Sequence, residues 1–254
     1  MKKAKRIRTA IACITAATGC AFSACSNEGY DTGDGSMSHL TAEFAEAATD
    51  GEARITVAHT DNGIVLRLSP AVKAEWATTA DSVYRCLLYY NAEKASAAHN
   101  DQSLIGEATA TAVSVQRVLV PQIAVGRSSA TPMPDDPLTI ETAWTSKSGR
   151  YINLGIILKT GTDDGKTAAQ QIGVAYTGSA TKADGTKRHT LKLVHSQNGV
   201  PQYYSAQAYV SIPLYRLPFA AAKGDEIVVE ANTYEGKAER SFHLSDLPIA
   251  EAQR

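Results

Sequence analysis

This chain of 254 residues has no excess of positive charge, because its 25 lysines and arginines are balanced by 26 aspartates and glutamates. Because a nucleic-acid-binding surface needs clustered positive charge to neutralise phosphates, we expect no nucleic-acid partner. Phenylalanine is scarce, at 4 residues, whereas the 11 tyrosines favour β-sheet surfaces that are half exposed. The apolar share of 44% and the charged share of 20% are those of an ordinary folded protein.

The motifs of common enzymes and metal sites are missing as well. The histidines and cysteines form no His-Glu-x-x-His, His-x-x-x-His or Cys-x-x-Cys spacing, so no metal site is predicted. His189 and His195 share one face of a predicted strand, but six residues of strand place them roughly 20 Å apart. Neither a Gly-x-Ser-x-Gly motif nor a glycine-rich phosphate loop occurs. We therefore predict a protein that is not an enzyme and has no cofactor.

The N-terminus has the pattern of a targeting signal. Five basic residues lie within the first eight positions, and an uncharged, mostly apolar stretch runs from Thr9 to Ala24. This stretch is about 16 residues long, whereas a membrane-spanning helix needs roughly 20. The pattern predicts a secretory signal over residues 1–24, and a single-span membrane anchor is the alternative.

The cysteines indicate which kind of signal it is. Two small-residue runs, Ala17–Cys20 and Phe22–Cys25, look like lipobox sequences, in which the cysteine thiol receives diacylglycerol before cleavage. Cys25 is the predicted lipid attachment site, because it ends the apolar run and polar residues follow at once. Cys20 is the alternative acceptor, and a plain signal with apolar cysteines is a third interpretation. Attachment through more than one acyl chain, palmitate included, would hold the protein stably to a membrane.

Removal of the signal and lipidation of Cys25 would leave Cys86 as the only thiol. It lies in the strand-like run Val83–Tyr90, where a lone cysteine is usually a small core residue. We therefore predict no intramolecular disulfide, although the compartment is oxidising.

The first folded domain is predicted after a polar tether over residues 25–37. Within the tether, Asp31–Ser36 fits no calcium loop of the EF-hand type, because no glutamate falls at the required position. Residues 38–120 contain five short strand-like runs and one irregular connection, which favours a small barrel of OB type. Asp61-Asn62-Gly63 predicts a hairpin with a type I′ turn.

The second domain is predicted beyond a proline-rich linker over residues 121–137, where the prolines disfavour any long strand. Seven strand-like runs with regularly spaced turn signals predict an antiparallel β-sandwich over residues 138–250. Thr190–His195 and Glu226–Glu230 are too apolar for sheet edges and are expected to be central strands. The chain is therefore predicted to be all-β, with two domains.

The large aromatic side chains allow two interpretations, core packing or a platform on which sugars stack. They comprise two tryptophans, Trp76 and Trp144, and two tyrosine pairs, Tyr89-Tyr90 and Tyr203-Tyr204. Neighbouring residues of a strand face opposite sides, so one tyrosine of each pair is expected in the core. Core packing is the preferred interpretation.

Several segments resemble the NigD-like lipoprotein family. Cys25–Tyr30 is similar to the mature start of these proteins, and Trp144 with Arg150–Leu154 looks like the opening of their sandwich. Leu191–His195 followed by Asn198-Gly199 looks like their central hairpin. The resemblance spans nearly all of the mature chain and is most specific in its C-terminal half. It implies an OB-like barrel followed by a β-sandwich in an envelope lipoprotein, and it supplies no catalytic residues.

The expected function follows from the predicted lipoprotein signal and from the family resemblance. The family takes its name from a protein linked to bacteriocin immunity, so the first expectation is a lipid-anchored envelope protein that binds a protein partner. A surface lipoprotein that binds a glycan or small ligand is the alternative. Attachment to the outer membrane is expected, facing either the periplasm or the outside. A hydrolase is a third hypothesis, which would require a cleft with paired carboxylates of perturbed pKa.

Overall fold

The computed structural model describes residues 40–92, 106–125, 133–163 and 169–244. The predicted signal and tether, and with them Cys25, lie outside the described residues. No helix in the described ranges is long and apolar enough to cross a membrane. The first five strands are β1 (Thr41–Thr49), β2 (Ile55–Thr60), β3 (Ile64–Val72), β4 (Val83–Ala92) and β5 (Gly106–Arg117). The remaining strands are β6 (Ile123–Val125), β7 (Thr139–Thr145), β8 (Tyr151–Thr160), β9 (Gln171–Thr181), β10 (Lys187–Ser196), β11 (Tyr204–Pro213), β12 (Glu226–Thr233) and β13 (Gly236–His243).

Strands β1 to β5 form a closed barrel in the order β1-β2-β3-β5-β4. The β3–β5 pair is parallel and the other pairs are antiparallel, as in a five-stranded Greek-key barrel of OB type. Alternate residues of β1, among them Ala45 and Ala47, point into the barrel, where they pack with Ile55, Leu66 and Leu88. The predicted OB-like barrel is confirmed.

The other strands form a β-sandwich of two sheets. The five-stranded sheet has the order β13-β12-β10-β9-β6, and the three-stranded sheet has the order β11-β8-β7. The predicted sandwich is confirmed, and β10 and β12 are internal strands as expected. However, the β10–β12 and β6–β9 pairs are parallel, so the larger sheet is mixed rather than wholly antiparallel. The reason for the first pair is that β11 runs back through the opposite sheet between β10 and β12.

The predicted linker contributes a strand to the sandwich. Within residues 121–137, Ile123–Val125 forms β6, which pairs with β9. Just before it, Leu119 exchanges backbone hydrogen bonds with β11 at Tyr209 and Ser211. The sandwich therefore begins inside the segment that the sequence predicts as a linker.

Two predicted turns differ from the structure. The Asp61-Asn62-Gly63 hairpin joins β2 to β3, but only Gly63 has a positive φ, of 85°, so the turn is a three-residue loop rather than type I′. Asn198 and Gly199 have φ of 48° and 72°, as a type I′ turn requires. They connect β10 to β11 in the opposite sheet, so the expected central hairpin is wrong.

Strand β8 is buried on both faces from Tyr151 to Ile156. Ile152, Leu154 and Ile156 belong to the core between the two sheets. The alternate residues Tyr151 and Asn153 contact barrel side chains instead. The domains therefore stack as three layers, the larger sheet, the smaller sheet and the barrel.

Cys86 lies in β4 and is fully buried in the barrel core as a free thiol, which confirms its predicted position. Burial raises the pKa of Cys86 to about 12. The folded thiol is therefore protonated at pH 8, and it is unreactive because the thiolate is the reactive form.

We predict that a lipid-free form beginning at Ser26 reacts with a thiol reagent at pH 8 only when denaturant unfolds it. In the unfolded chain Cys86 regains its ordinary pKa, near 9.0, and exposure, so thiolate becomes available. The measurement is the labelling rate against denaturant concentration. Rapid labelling of the folded protein would contradict the buried position.

Candidate functional site

A buried arginine joins the two domains. The side chain of Arg85, in β4, is 1% exposed. Its Nη1 and Nη2 donate to the two carboxylate oxygens of Asp61, at 2.7 and 2.5 Å. On the sandwich side, its Nε donates to Ser211 Oγ at 3.2 Å and its Nη2 to Asn153 Oδ1 at 3.3 Å. One guanidinium thus connects the β2–β3 turn of the barrel to strands β8 and β11.

Aromatic rings surround this arginine. Its guanidinium carbon lies 4.2 Å from the ring centre of Tyr151 and 5.4 Å from that of Phe44. The ring of Phe44, a barrel residue, packs in T-shaped geometry against the rings of Trp144 and Tyr209, with ring centres 5.4 and 5.3 Å apart. Trp144 is therefore a packing residue at the domain junction rather than a ligand platform. The preferred interpretation also holds for Trp76, whose ring packs on Tyr84 in the barrel at 5.7 Å.

A second ion pair closes the edge of the junction. Glu46 Oε1 accepts hydrogen bonds from Arg150 Nε at 3.1 Å and from Tyr151 Oη at 2.6 Å. Arg150 lies over the ring of Tyr215, 4.7 Å from its centre. Burial, together with the hydrogen bond to Glu46, raises the pKa of Tyr151, so its hydroxyl remains a donor at neutral pH.

The two histidines of β10, His189 and His195, are buried and engaged in packing and hydrogen-bond contacts. They lie on the same buried face at opposite ends of the strand, as predicted. The His189 ring stacks on Phe219 at 3.8 Å, and its Nε2 is 3.3 Å from Asp225 Oδ2. Backbone N–H donors from Ala222 and Lys187 lower the pKa of Asp225. His195 Nε2 is 2.9 Å from Gln170 Oε1. Across the described ranges, no three histidine, cysteine or acidic side chains are grouped to hold a metal ion.

A pocket opens at the other end of β8, roughly 30 Å along the strand from Tyr151. It has a volume of about 330 Å³, within the range of small-ligand sites. Its walls are mainly apolar and include Leu158, Val200, Ala206 and Ala208. The hydroxyl-bearing residues Thr160 and Thr162 lie at its edge.

Tyr203 packs on Gly161, one of the residues that line this pocket. Its ring is packed so closely on Gly161 that a Cβ there would lie 2.7 Å from the Tyr203 Cδ2. Its hydroxyl donates to Asp163 Oδ1 at 2.6 Å, and this hydrogen bond raises the pKa of Tyr203. The residue is nevertheless 68% exposed. Contacts at two points hold the ring while leaving most of it open to solvent.

The tyrosine pairs differ from each other. Tyr90 is buried and Tyr89 is half-buried, so that pair follows the expected alternation. Tyr203 and Tyr204 are both exposed, and the expectation that one lies in the core is wrong. The reason is that Tyr203 precedes β11 and Tyr204 is its first residue, so strand alternation does not apply to them. Tyr234, also exposed, interacts with the backbone of Lys159 and so lies at the same end.

The loops at this end are tied together by side-chain amides. Gln197 Nε2 donates to the carbonyls of Lys159 and Val200, and Gln170 Nε2 donates to Lys159 as well. Asn198 Nδ2 donates to the Ala169 carbonyl at 3.0 Å. We call Tyr203, Tyr204, Tyr234 and the pocket the tyrosine end of the sandwich. It combines exposed tyrosine rings with described loop residues that side-chain hydrogen bonds hold together.

Sequence reasoning missed Arg85 as an organising residue. The available signal was a single charge within the otherwise apolar run Val83–Tyr90, which predicts a buried and paired side chain. Its sandwich partners, Asn153 and Ser211, could not be named, since they lie in the other domain.

The fold defines the class, a two-domain β-protein with an OB-type barrel docked on a β-sandwich. Residues 123–244 match the sequence profile of the NigD-like C-terminal beta sandwich domain. The C-terminal part of the chain is therefore a NigD-like beta sandwich domain, and the resemblance noted in the sequence is confirmed. No match is found among curated proteins.

Solved structures share the fold. A NigD-like immunity protein from Bacteroides caccae is 20% identical with a TM-score of 0.58, and the match covers 80% of this chain and 97% of that one. A Parabacteroides distasonis protein, named as a candidate toxin-related protein, is 20% identical with a TM-score of 0.56 over 80% and 92%. A Bacteroides fragilis protein, named as a candidate lipoprotein, is 9% identical with a TM-score of 0.54 over 80% and 96%. At these identities the likeness is one of fold.

We predict that Arg85→Ala lowers the free energy of unfolding by about 3–5 kcal/mol, because it leaves the partly buried Asp61 carboxylate and two buried polar side chains without their cation. Arg67→Ala is the matched control, since its pair with Glu107 is exposed on both sides, and it should cost less than about 1 kcal/mol. The measurement is chemical denaturation at neutral pH. Equal stability of the two variants would contradict the role given to Arg85.

Proposed function

We propose that this protein is a non-enzymatic, lipid-anchored envelope protein that binds a protein partner, with immunity against a bacteriocin as the specific role to test. The observation that carries the proposal is the tyrosine end of the sandwich. Exposed tyrosines beside an apolar pocket have the composition of protein-binding hot spots. Loops held by hydrogen bonds reduce the entropy lost on binding.

The names of the structural neighbours support the same proposal. One neighbour is named as an immunity protein, one as a candidate lipoprotein and one as a candidate toxin-related protein. The non-enzymatic part of the proposal rests on the histidines of β10, which are engaged in structural contacts. The anchor rests on the lipobox-like run that ends at Cys25.

A glycan is the second candidate ligand. The specific observation in its favour is the exposed ring of Tyr203, which is held against Gly161 and could stack on the C–H face of a sugar. The apolar pocket walls favour a polypeptide instead, because sugars present many hydroxyls that need hydrogen-bond partners.

We predict that Cys25→Ala abolishes incorporation of radiolabelled palmitate in cells and leaves the signal uncleaved, because the variant lacks the acceptor thiol whose lipidation precedes cleavage. Cys20→Ala is the matched control and should remain labelled. Label that is lost from Cys20→Ala and kept in Cys25→Ala would assign the anchor to Cys20. An unlabelled parent protein would contradict lipid attachment.

For the partner, we predict that the lipid-free protein, immobilised and exposed to culture medium of a toxin-producing strain, retains a bacteriocin polypeptide. Deletion of the gene should then raise the sensitivity of the cells to that toxin, and the restored gene should reverse the change. If no bacteriocin is retained and sensitivity stays unchanged, the immunity role is wrong.

A further inference from the structure

The domain junction shows twice how this chain binds a guanidinium. Arg85 lies over the ring of Tyr151 and pairs with the Asp61 carboxylate. Arg150 lies over the ring of Tyr215 and pairs with Glu46. In both cases a tyrosine face and a carboxylate enclose one cation, which combines cation–π attraction with a charge-assisted hydrogen bond.

The tyrosine end presents the same two components. The Tyr203 ring is largely exposed, and its hydroxyl donates to the Asp163 carboxylate at 2.6 Å. Asp163 makes other interactions as well, and a carboxylate can accept several hydrogen bonds. In the part of the chain that the structure describes, no lysine or arginine lies over the Tyr203 ring, in contrast to Tyr151 and Tyr215.

The apolar pocket lies directly beside this pair, since Gly161 both lines the pocket and supports the Tyr203 ring. Its volume of about 330 Å³ is large enough for one bulky side chain, and Leu158, Val200 and Ala206 form its apolar walls. Burial of an apolar side chain in this pocket would be favourable, because it removes apolar surface from water.

We propose that the tyrosine end binds a polypeptide segment in which an arginine or lysine stacks on Tyr203 beside Asp163 while a neighbouring apolar side chain fills the pocket. This inference rests on the proposed function, because it specifies the chemistry of the protein partner. Charge complementarity selects the basic residue, and the pocket selects the apolar one. The rim is preorganised because Gly161 and Asp163 hold Tyr203 and the amide contacts of Gln197 hold the loop beneath it.

The test uses a phage-displayed library of random heptapeptides as the probe and the lipid-free protein as the bait. Wild-type protein should enrich peptides with a basic residue next to a large apolar one. Ala206→Leu, which fills the pocket, should remove the apolar preference, and Asp163→Asn should remove the basic one. Val83→Ala, an exposed barrel position, is the control and should select the same peptides as the wild type.

Affinity measurements on one enriched peptide give the second readout. Tyr203→Ala should weaken binding by at least about tenfold, as for hot-spot residues. Tyr203→Phe keeps the ring and should retain most of the affinity. Binding by the wild type should weaken with added salt, because an exposed charge pair is screened. Thermal denaturation of each variant separates loss of binding from loss of folding.

Three results would overturn the inference in different ways. Absence of a basic and apolar consensus, or equal affinity of wild type and Tyr203→Ala, removes this site. A bacteriocin retained equally by wild type and Tyr203→Ala also removes the site but leaves the proposed function intact. Tyr203-dependent binding to a panel of hexoses and disaccharides, without peptide enrichment, would assign the end to a glycan.

Discussion

The rest of the structure depends on the pair formed by two barrel residues, Arg85 and Asp61, at the junction with the sandwich. A buried guanidinium is costly unless every donor is satisfied, and here a carboxylate, a hydroxyl and an amide oxygen accept from it. Asp61 pairs with the charge within the barrel, whereas Ser211 and Asn153 of the sandwich accept from the guanidinium only when the two domains are docked. The relative position of the domains is thereby specified by hydrogen-bond geometry and not only by apolar contact.

This arrangement divides the sandwich into two ends with different properties. At the end near Tyr151, aromatic rings and carboxylates enclose the protein's own arginines. At the end near Tyr203, similar rings remain exposed beside small alanines that leave a pocket. Hydrogen bonds hold the described loop residues near Tyr203, so part of the ordering cost of the proposed binding would already be met on folding.

Both domains could be predicted from the sequence because strand alternation and turn residues are local signals. The same holds for buried Cys86, and for the central strand that contains Thr190–His195. The role of Arg85 could not be predicted, because its sandwich partners Asn153 and Ser211 lie 68 and 126 residues away in sequence. Strand β6 was missed because three residues among prolines carry too little pattern. Exposure of both Tyr203 and Tyr204 was missed because it depends on where β11 begins.

Double-sided burial of β8 has a consequence for how the chain can be divided. A fragment cut at residue 138 would lack β6 and leave the edge of β9 open to pairing with other chains. A longer fragment that keeps β6 but omits the barrel would expose Tyr151, Tyr209 and Trp144 to water. Each cut exposes surface that the intact chain covers, so the barrel and the sandwich form one structural unit.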